Sequence, residues 1–194
     1  MSDIMTCMPF GQLMDWVLQE KKGQDTVFGV HRPYTADPKN ETPVGPAAGP
    51  HTQLAQNIIA SYYAGARFFE LKTVQKMDGA ELSACVNKPC ILADDEGYNC
   101  EWSTELYVPQ AMAEYIKGWI LIHVIAKEFG LGAQDGFQFN ISVGYDLAGI
   151  KGDKVNTFID GMMEAKDTVI FQKCRKWLLD NADKFQNFTR ADIE

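Results

Sequence analysis

Large apolar and β-branched residues cluster in a few short stretches of this chain, and longer stretches carry apolar residues at every third or fourth position. The first pattern predicts strands and the second predicts helices with one buried face. Both meet in Thr42 to Thr73, TPVGPAAGPHTQLAQNIIASYYAGARFFELKT. Thr42 to Ala48 is expected to be a short strand running into Ala-Ala-Gly-Pro, a turn of small side chains where a flat ligand could approach the backbone. His51 to Ala64 has Leu54, Ala55, Ile58, Ile59 and Tyr62 at helical spacing, and Gly65 is a natural stop. Ala66 to Thr73 reads as a second strand with Phe68, Phe69 and Leu71, ending on Lys72 and Thr73. A helix joining two strands makes a βαβ unit, so the small-residue turn and Lys72 are expected to face one site at the carboxyl ends of parallel strands.

The rest of the chain extends this plan. Met8 to Lys22 is expected to be a core-docking helix stopped by Gly23, Thr26 to Val30 an edge strand, and HRPYTADPKNET a polar lead-in loop. Val74 to Gly97 contains Gly79, Pro89 and the acidic run Asp94-Asp95-Glu96, and reads as a long excursion with one strand-like piece near Cys90 to Ala93. Glu101 to Phe129 reads as helical, with Pro109 at its true start and a stripe through Met112, Tyr115, Ile116, Trp119, Ile120, Ile122, His123 and Ile125. Gly136 to Val143, GFQFNISV, is the third expected strand, and Gly152 to Ala165 and Thr168 to Phe185 are further amphipathic helices. Trp119, Trp177 and the methionines are read as core.

Three expected parallel strands, each followed by a helix, are too few for a closed eight-stranded barrel, which takes about 250 residues. The fold expectation is therefore α/β: about the first three βα units of a (β/α)8 barrel, with residues 1–41 as a helical extension and lead-in. Residues 42–194 then form the partial barrel, with an insertion at 74–100. Open strand edges of such a piece would seek remaining barrel strands or self-associate.

Composition adds limits. At 194 residues, 46% hydrophobic and 23% charged, the chain has ordinary globular usage, and its net charge of −8 carries no basic block for nucleic acid or an anionic membrane. No apolar run approaches the roughly 20 residues of a membrane span. The amino terminus lacks the pattern of a signal peptide, and five scattered cysteines fit reduced thiols, so a cytoplasmic protein is expected. Cys85 and Cys90 form an isolated C-x4-C with no second pair, and no metal site is expected.

The blocks TPVGPAAGPHTQLAQNI, FFELKTVQ, EWSTE and FNISVGY resemble the flavin-binding barrel of the dihydroorotate and dihydropyrimidine dehydrogenases. More closely, they are similar to the amino-terminal part of the large iron–sulfur flavoproteins known as selenate reductase subunits. The likeness runs from residue 42 to 165. It implies FMN above the carboxyl ends of the strands, with Ala47, Ala48 and Gly49 under the flavin ring and Lys72 contacting flavin and substrate. It further implies Thr73 beside that lysine, Asn99 as a substrate contact, and Asn140 as a polar contact to the flavin. The catalytic cysteine or serine, the phosphate-binding glycines and the iron–sulfur cysteines of the relatives have no counterparts here, and those clusters are expected in other parts of the full-length protein.

Each residue also has a plainer reading. Ala47-Ala48-Gly49 also fits tight packing alone, Lys72 a salt bridge to Glu70 or Glu101, and His51 a helix cap or a surface position. The Ser103–Thr104 stretch suits an N-cap, and Asn140 would need a partner on a buried strand. Two functions follow. One is the first segment of an FMN-dependent iron–sulfur oxidoreductase acting on a small-molecule substrate, active only as part of the full-length protein. The other is a non-catalytic, barrel-like docking module of a larger redox complex.

Overall fold

The computed structural model describes residues 6–31, 44–77, 106–144 and 146–193. Helix α1, Phe10–Gln24, buries Phe10, Leu13, Met14 and Val17. It runs through Gly23 and stops at Asp25, whose φ of 56° turns the backbone left-handed while its N–H bonds to the Lys21 carbonyl. The stop falls after Gly23 because Lys21 ion-pairs with Asp25 one turn on and holds the last turn together. The edge strand expected at Thr26 to Val30 is instead a small antiparallel hairpin, β1 Thr26–Val27 against β2 Val30–His31. Phe28 and Gly29, at φ 50° and 75°, form its turn, and two successive left-handed residues give the twist that suits a two-residue hairpin. Glu20 fixes the turn by accepting from the Thr26 hydroxyl and the Gly29 N–H.

The described part of the first expected strand, Val44 to Ala48, is an irregular run. It still lies along the next strand, since the Val44 carbonyl accepts from the Arg67 N–H at 2.9 Å and the Pro46 carbonyl from the Glu70 N–H at 3.2 Å. Pro46 has no N–H to return a bond, so the ladder is one-sided. Gly45 makes the approach feasible: a Cβ there would stand 1.4 Å from the Phe68 carbonyl oxygen. A turn of 3₁₀ helix, Pro50–Thr52, then leads into α2, Ala55–Tyr63. Gly65, at φ 117°, lets the chain reverse.

The second and third expected strands are present and parallel, each broken in the middle. Strand β3, Phe68–Glu70, and β4, Val74–Gln75, run beside β5, Gln138–Asn140, and β6, Val143–Gly144. Glu70 is opposite Asn140, whereas Val74 is opposite Val143. Leu71, Lys72 and Thr73 therefore face only Ile141 and Ser142. One extra residue sits in the first strand, a bulge centred at Lys72, and the pairing resumes through the Val74 N–H to the Ser142 carbonyl at 3.0 Å. Phe69 and Leu71 are fully buried, while Glu70, Gln138 and Asn140 join through their side chains on the other face.

The central helix is α3, Val108–Phe129, which carries Pro109 in its first turn as expected and ends at Gly130 in the left-handed conformation. It separates α2 from α5, Asp153–Met163, and α6, Val169–Asp180, and most of its circumference is buried. A short helix α4, Leu147–Ile150, precedes α5 and is capped by the Asp146 carboxylate, which accepts from the Gly149 N–H at 2.7 Å. Thr168 caps α6 in the same way at 3.3 Å. Arg67 is buried, with no carboxylate partner among the described residues, and donates to the carbonyls of Tyr62, Ala66 and Leu131 at 2.8–3.0 Å, tying the end of α2 to the loop after α3. Trp119 and Met163 depart from the core reading, at 43% and 77% exposed. Both lie on the side of β5 that pairs with no other strand among the described residues, so their apolar surface borders an open edge. Among the described residues no helix is long and apolar enough to cross a membrane.

Candidate functional site

The carboxyl ends of the two parallel strands bring Lys72, Thr73, Asn140 and Ser142 together. Lys72, the extra residue between the pairs Glu70–Asn140 and Val74–Val143, is 6% exposed. A buried ammonium is costly unless it meets polar groups or an arriving anion. Its backbone carbonyl, displaced from the ladder by the bulge, accepts a 2.6 Å bond from the Tyr115 hydroxyl. Thr73 Oγ1 and Ser142 Oγ lie 2.8 Å apart across the strands. Two adjacent hydroxyls at one strand end can each donate and accept.

Asn140 donates from Nδ2 to the Glu70 carboxylate at 3.0 Å and accepts at Oδ1 from Gln138 Nε2 at 2.9 Å. Its need for a partner is thus met within the sheet, by Glu70 in particular. An amide has two hydrogens and two lone pairs, so Asn140 keeps one further bond at each end for a ligand.

The small-residue run arrives at the same end. Pro46 is held at Glu70, and Ala47 and Ala48 follow with exposed side chains. Gly49 is buried and extended, and its N–H and carbonyl bond with Thr52. A Cβ at Gly49 would come within 2.6 Å of His51 Cε1. A branched residue there would displace the His51 ring first. His51 itself is exposed and lies within the 3₁₀ turn rather than an α-helix.

Leu54, at the N-cap of α2, has no side chain able to cap it. Glu114 of α3 takes that role, its Oε2 accepting from the Ala55 N–H at 2.8 Å while its other oxygen ion-pairs with Lys117. Lys117 in turn donates to the Met8 carbonyl at 2.6 Å. Beside this pair, burial first and the Glu114 charge second raise the Cys7 thiol to about 11, and burial pushes Cys174 to about 12. Both are protonated and poorly nucleophilic at neutral pH.

Asn99, Glu101, Ser103, Thr104, Cys85, Cys90, Cys100 and the acidic run at Asp94 lie outside the described residues. Sequence reasoning passed over Ser142, Tyr115 and Glu114. Ser142 had a visible signal, since it is two residues from Asn140 and alternation puts both on one face. Tyr115 had been read as part of the apolar stripe, and Glu114 had no signal because only the fold reveals the helix end that it caps.

The residues present suit one side of a flavin site: small side chains at the turn, a buried cation, an amide with spare bonds and a hydroxyl pair. Residues 22–194 match the family described as the N-terminal TIM-barrel domain of the oxidoreductase YgfK. Over 190 residues the chain is 44% identical to YgfK of Escherichia coli K12, and equally to that of Escherichia coli O157:H7, proteins whose naming as oxidoreductases is itself provisional. The alignment covers 92% of this chain and 18% of each relative, so the chain spans less than a fifth of their length. No solved structure matches it.

Proposed function

The chain belongs to the family of YgfK N-terminal TIM-barrel oxidoreductase domains, and from that premise we propose that it supplies the first part of an FMN site in a larger iron–sulfur flavoprotein. The full-length protein would pass electrons between a small substrate and its clusters. The observation that carries this reading is the meeting of Lys72, Thr73, Ser142 and Asn140 at one end of two parallel strands, beside Ala47 to Gly49.

When bound, FMN would supply the redox-active ring. Ala47, Ala48 and Gly49 would let that ring lie close to the backbone. Lys72 would hold positive charge beside it, and a buried cation acts in a low dielectric where it strongly favours negative charge developing nearby. Asn140 would orient the ring through its remaining amide hydrogen and lone pair, and Thr73 and Ser142 would add hydroxyl contacts. Asn99 is proposed for substrate, with a nucleophile or acid supplied by residues outside this chain.

Lys72→Ala in the full-length protein tests this assignment. Flavin reduction should slow by about a hundredfold, the usual scale for losing one preorganised electrostatic contact, while the far-ultraviolet dichroism stays unchanged. Normal reduction in the variant, or loss of its fold, would remove Lys72 from the site.

A further inference from the structure

We infer that Tyr115 is the positioning residue for Lys72, acting through the backbone at the bulge and touching no ligand. The inference rests on the flavin-site reading for its functional meaning and on geometry alone for its structural part.

A bulge leaves its extra residue out of the ladder, and here Lys72 falls between the pairs Glu70–Asn140 and Val74–Val143. Its carbonyl has a bond all the same, from the Tyr115 hydroxyl at 2.6 Å. Tyr115 is fully buried, and its ring meets Phe158 of α5 edge-on with centroids 6.2 Å apart, so the hydroxyl is held by two helices. Burial, and then the neighbouring Glu114 charge, keep the phenol protonated, so it can only donate to a carbonyl that can only accept. Glu114, the preceding residue, holds the first turn of α2 and with it the exit of the small-residue run. Two consecutive residues of α3 thus fix the lysine arm and the turn arm of the site against one helix.

Without the hydroxyl, the Lys72 carbonyl would lose this buried bond, and the backbone at the bulge would shift. The lost bond is made by Lys72 itself, so the shift should appear at Lys72 first.

The test is lysine acylation of the full-length protein, followed residue by residue by mass spectrometry under native conditions. Tyr115→Phe keeps the ring and its packing. Lys72 should be acylated roughly fivefold to tenfold faster than in the wild type, the factor that one lost hydrogen bond allows. Lys117 is equally buried and lies two residues from the substitution, so it reports general loosening and should not change. Ser142→Ala removes a hydroxyl from the same strand end while leaving the Lys72 carbonyl bonded, and Lys72 should stay protected there. An unchanged Lys72 rate in Tyr115→Phe, a parallel rise at Lys117, or equal deprotection by Ser142→Ala would each overturn the inference. FMN content of the same samples reads the functional proposal separately, because a flavin-free wild type would end that proposal without altering the lysine comparison.

Discussion

Glu114→Ala should lower stability by about 3–5 kcal/mol, the usual consequence of removing one partner from a buried ion pair. Glu114 and Lys117 side chains are 2% and 5% exposed, so water cannot replace the lost carboxylate. Among the described residues, Lys117 would be left with the Met8 carbonyl alone. The Ala55 N–H would lose its partner as well, at a helix start where Leu54 offers no cap. In a chain of this size the melting temperature should fall by roughly 10 °C. A double replacement, Glu114→Leu with Lys117→Met, should recover much of that loss, because two well-packed apolar residues carry no desolvation cost. Thermal unfolding of the three proteins checks this, and a single substitution costing under about 1 kcal/mol would show that the pair is solvated.

Glu128→Ala should cost about 2–4 kcal/mol and release the segment around Gln186, Asn187 and Phe188. The Glu128 carboxylate accepts from the backbone N–H groups of Gln186, Asn187 and Phe188 at 2.8–3.1 Å, and its own carbonyl accepts from Asn187 Nδ2 at 2.9 Å. Bonds to a charged acceptor contribute about 1.5–3 kcal/mol each. Part of that sum returns when the freed N–H groups reach water. Phe185 and Phe188, which pack edge-on with centroids 5.4 Å apart, would lose their anchor. Trypsin should then cut at Lys184 and Arg190 much faster than in the wild type, with cleavage elsewhere unaffected. Unchanged cleavage at those two sites would mean that apolar packing alone holds this segment.

The helices were the legible part of this sequence because their apolar stripes are long and regular. Pro109 marks the start of α3, Thr168 caps α6, and Gly65 ends the βα unit as composition suggests. The parallel pairing of the second and third strands also followed from the helix between them. What the pattern hid was geometry at single residues. A period of two runs smoothly through FFELKTVQ and gives no sign of the extra residue at Lys72. The first strand looked regular because its apolar content was counted, whereas Pro46 lacks the N–H a ladder needs and Gly45 is pressed against Phe68. Phe28 in a left-handed conformation is unusual for an aromatic residue, and only the adjacent Gly29 hinted at the hairpin.

Among the candidate site residues, the parallel pairing was enough to put Lys72 and Asn140 at neighbouring strand ends. Their partners were not legible. Glu70 satisfies Asn140, and Tyr115 satisfies the Lys72 carbonyl, through contacts between residues 43 to 70 positions apart. Glu114, Lys117 and Glu128 looked like the polar side of an amphipathic helix, and each instead became a buried hub because α3 is packed on nearly every side. Charged residues on a helix that proves to be central are the ones a single-sequence reading misplaces.

The flavin itself is the most direct test of the proposed site. Full-length protein, purified without added cofactor, should be yellow and should release about one FMN per polypeptide on heating, measured by absorbance against protein concentration. A colourless full-length protein that takes up no FMN on reconstitution would contradict the assignment of Ala47, Ala48, Gly49, Lys72, Thr73 and Asn140 to a flavin.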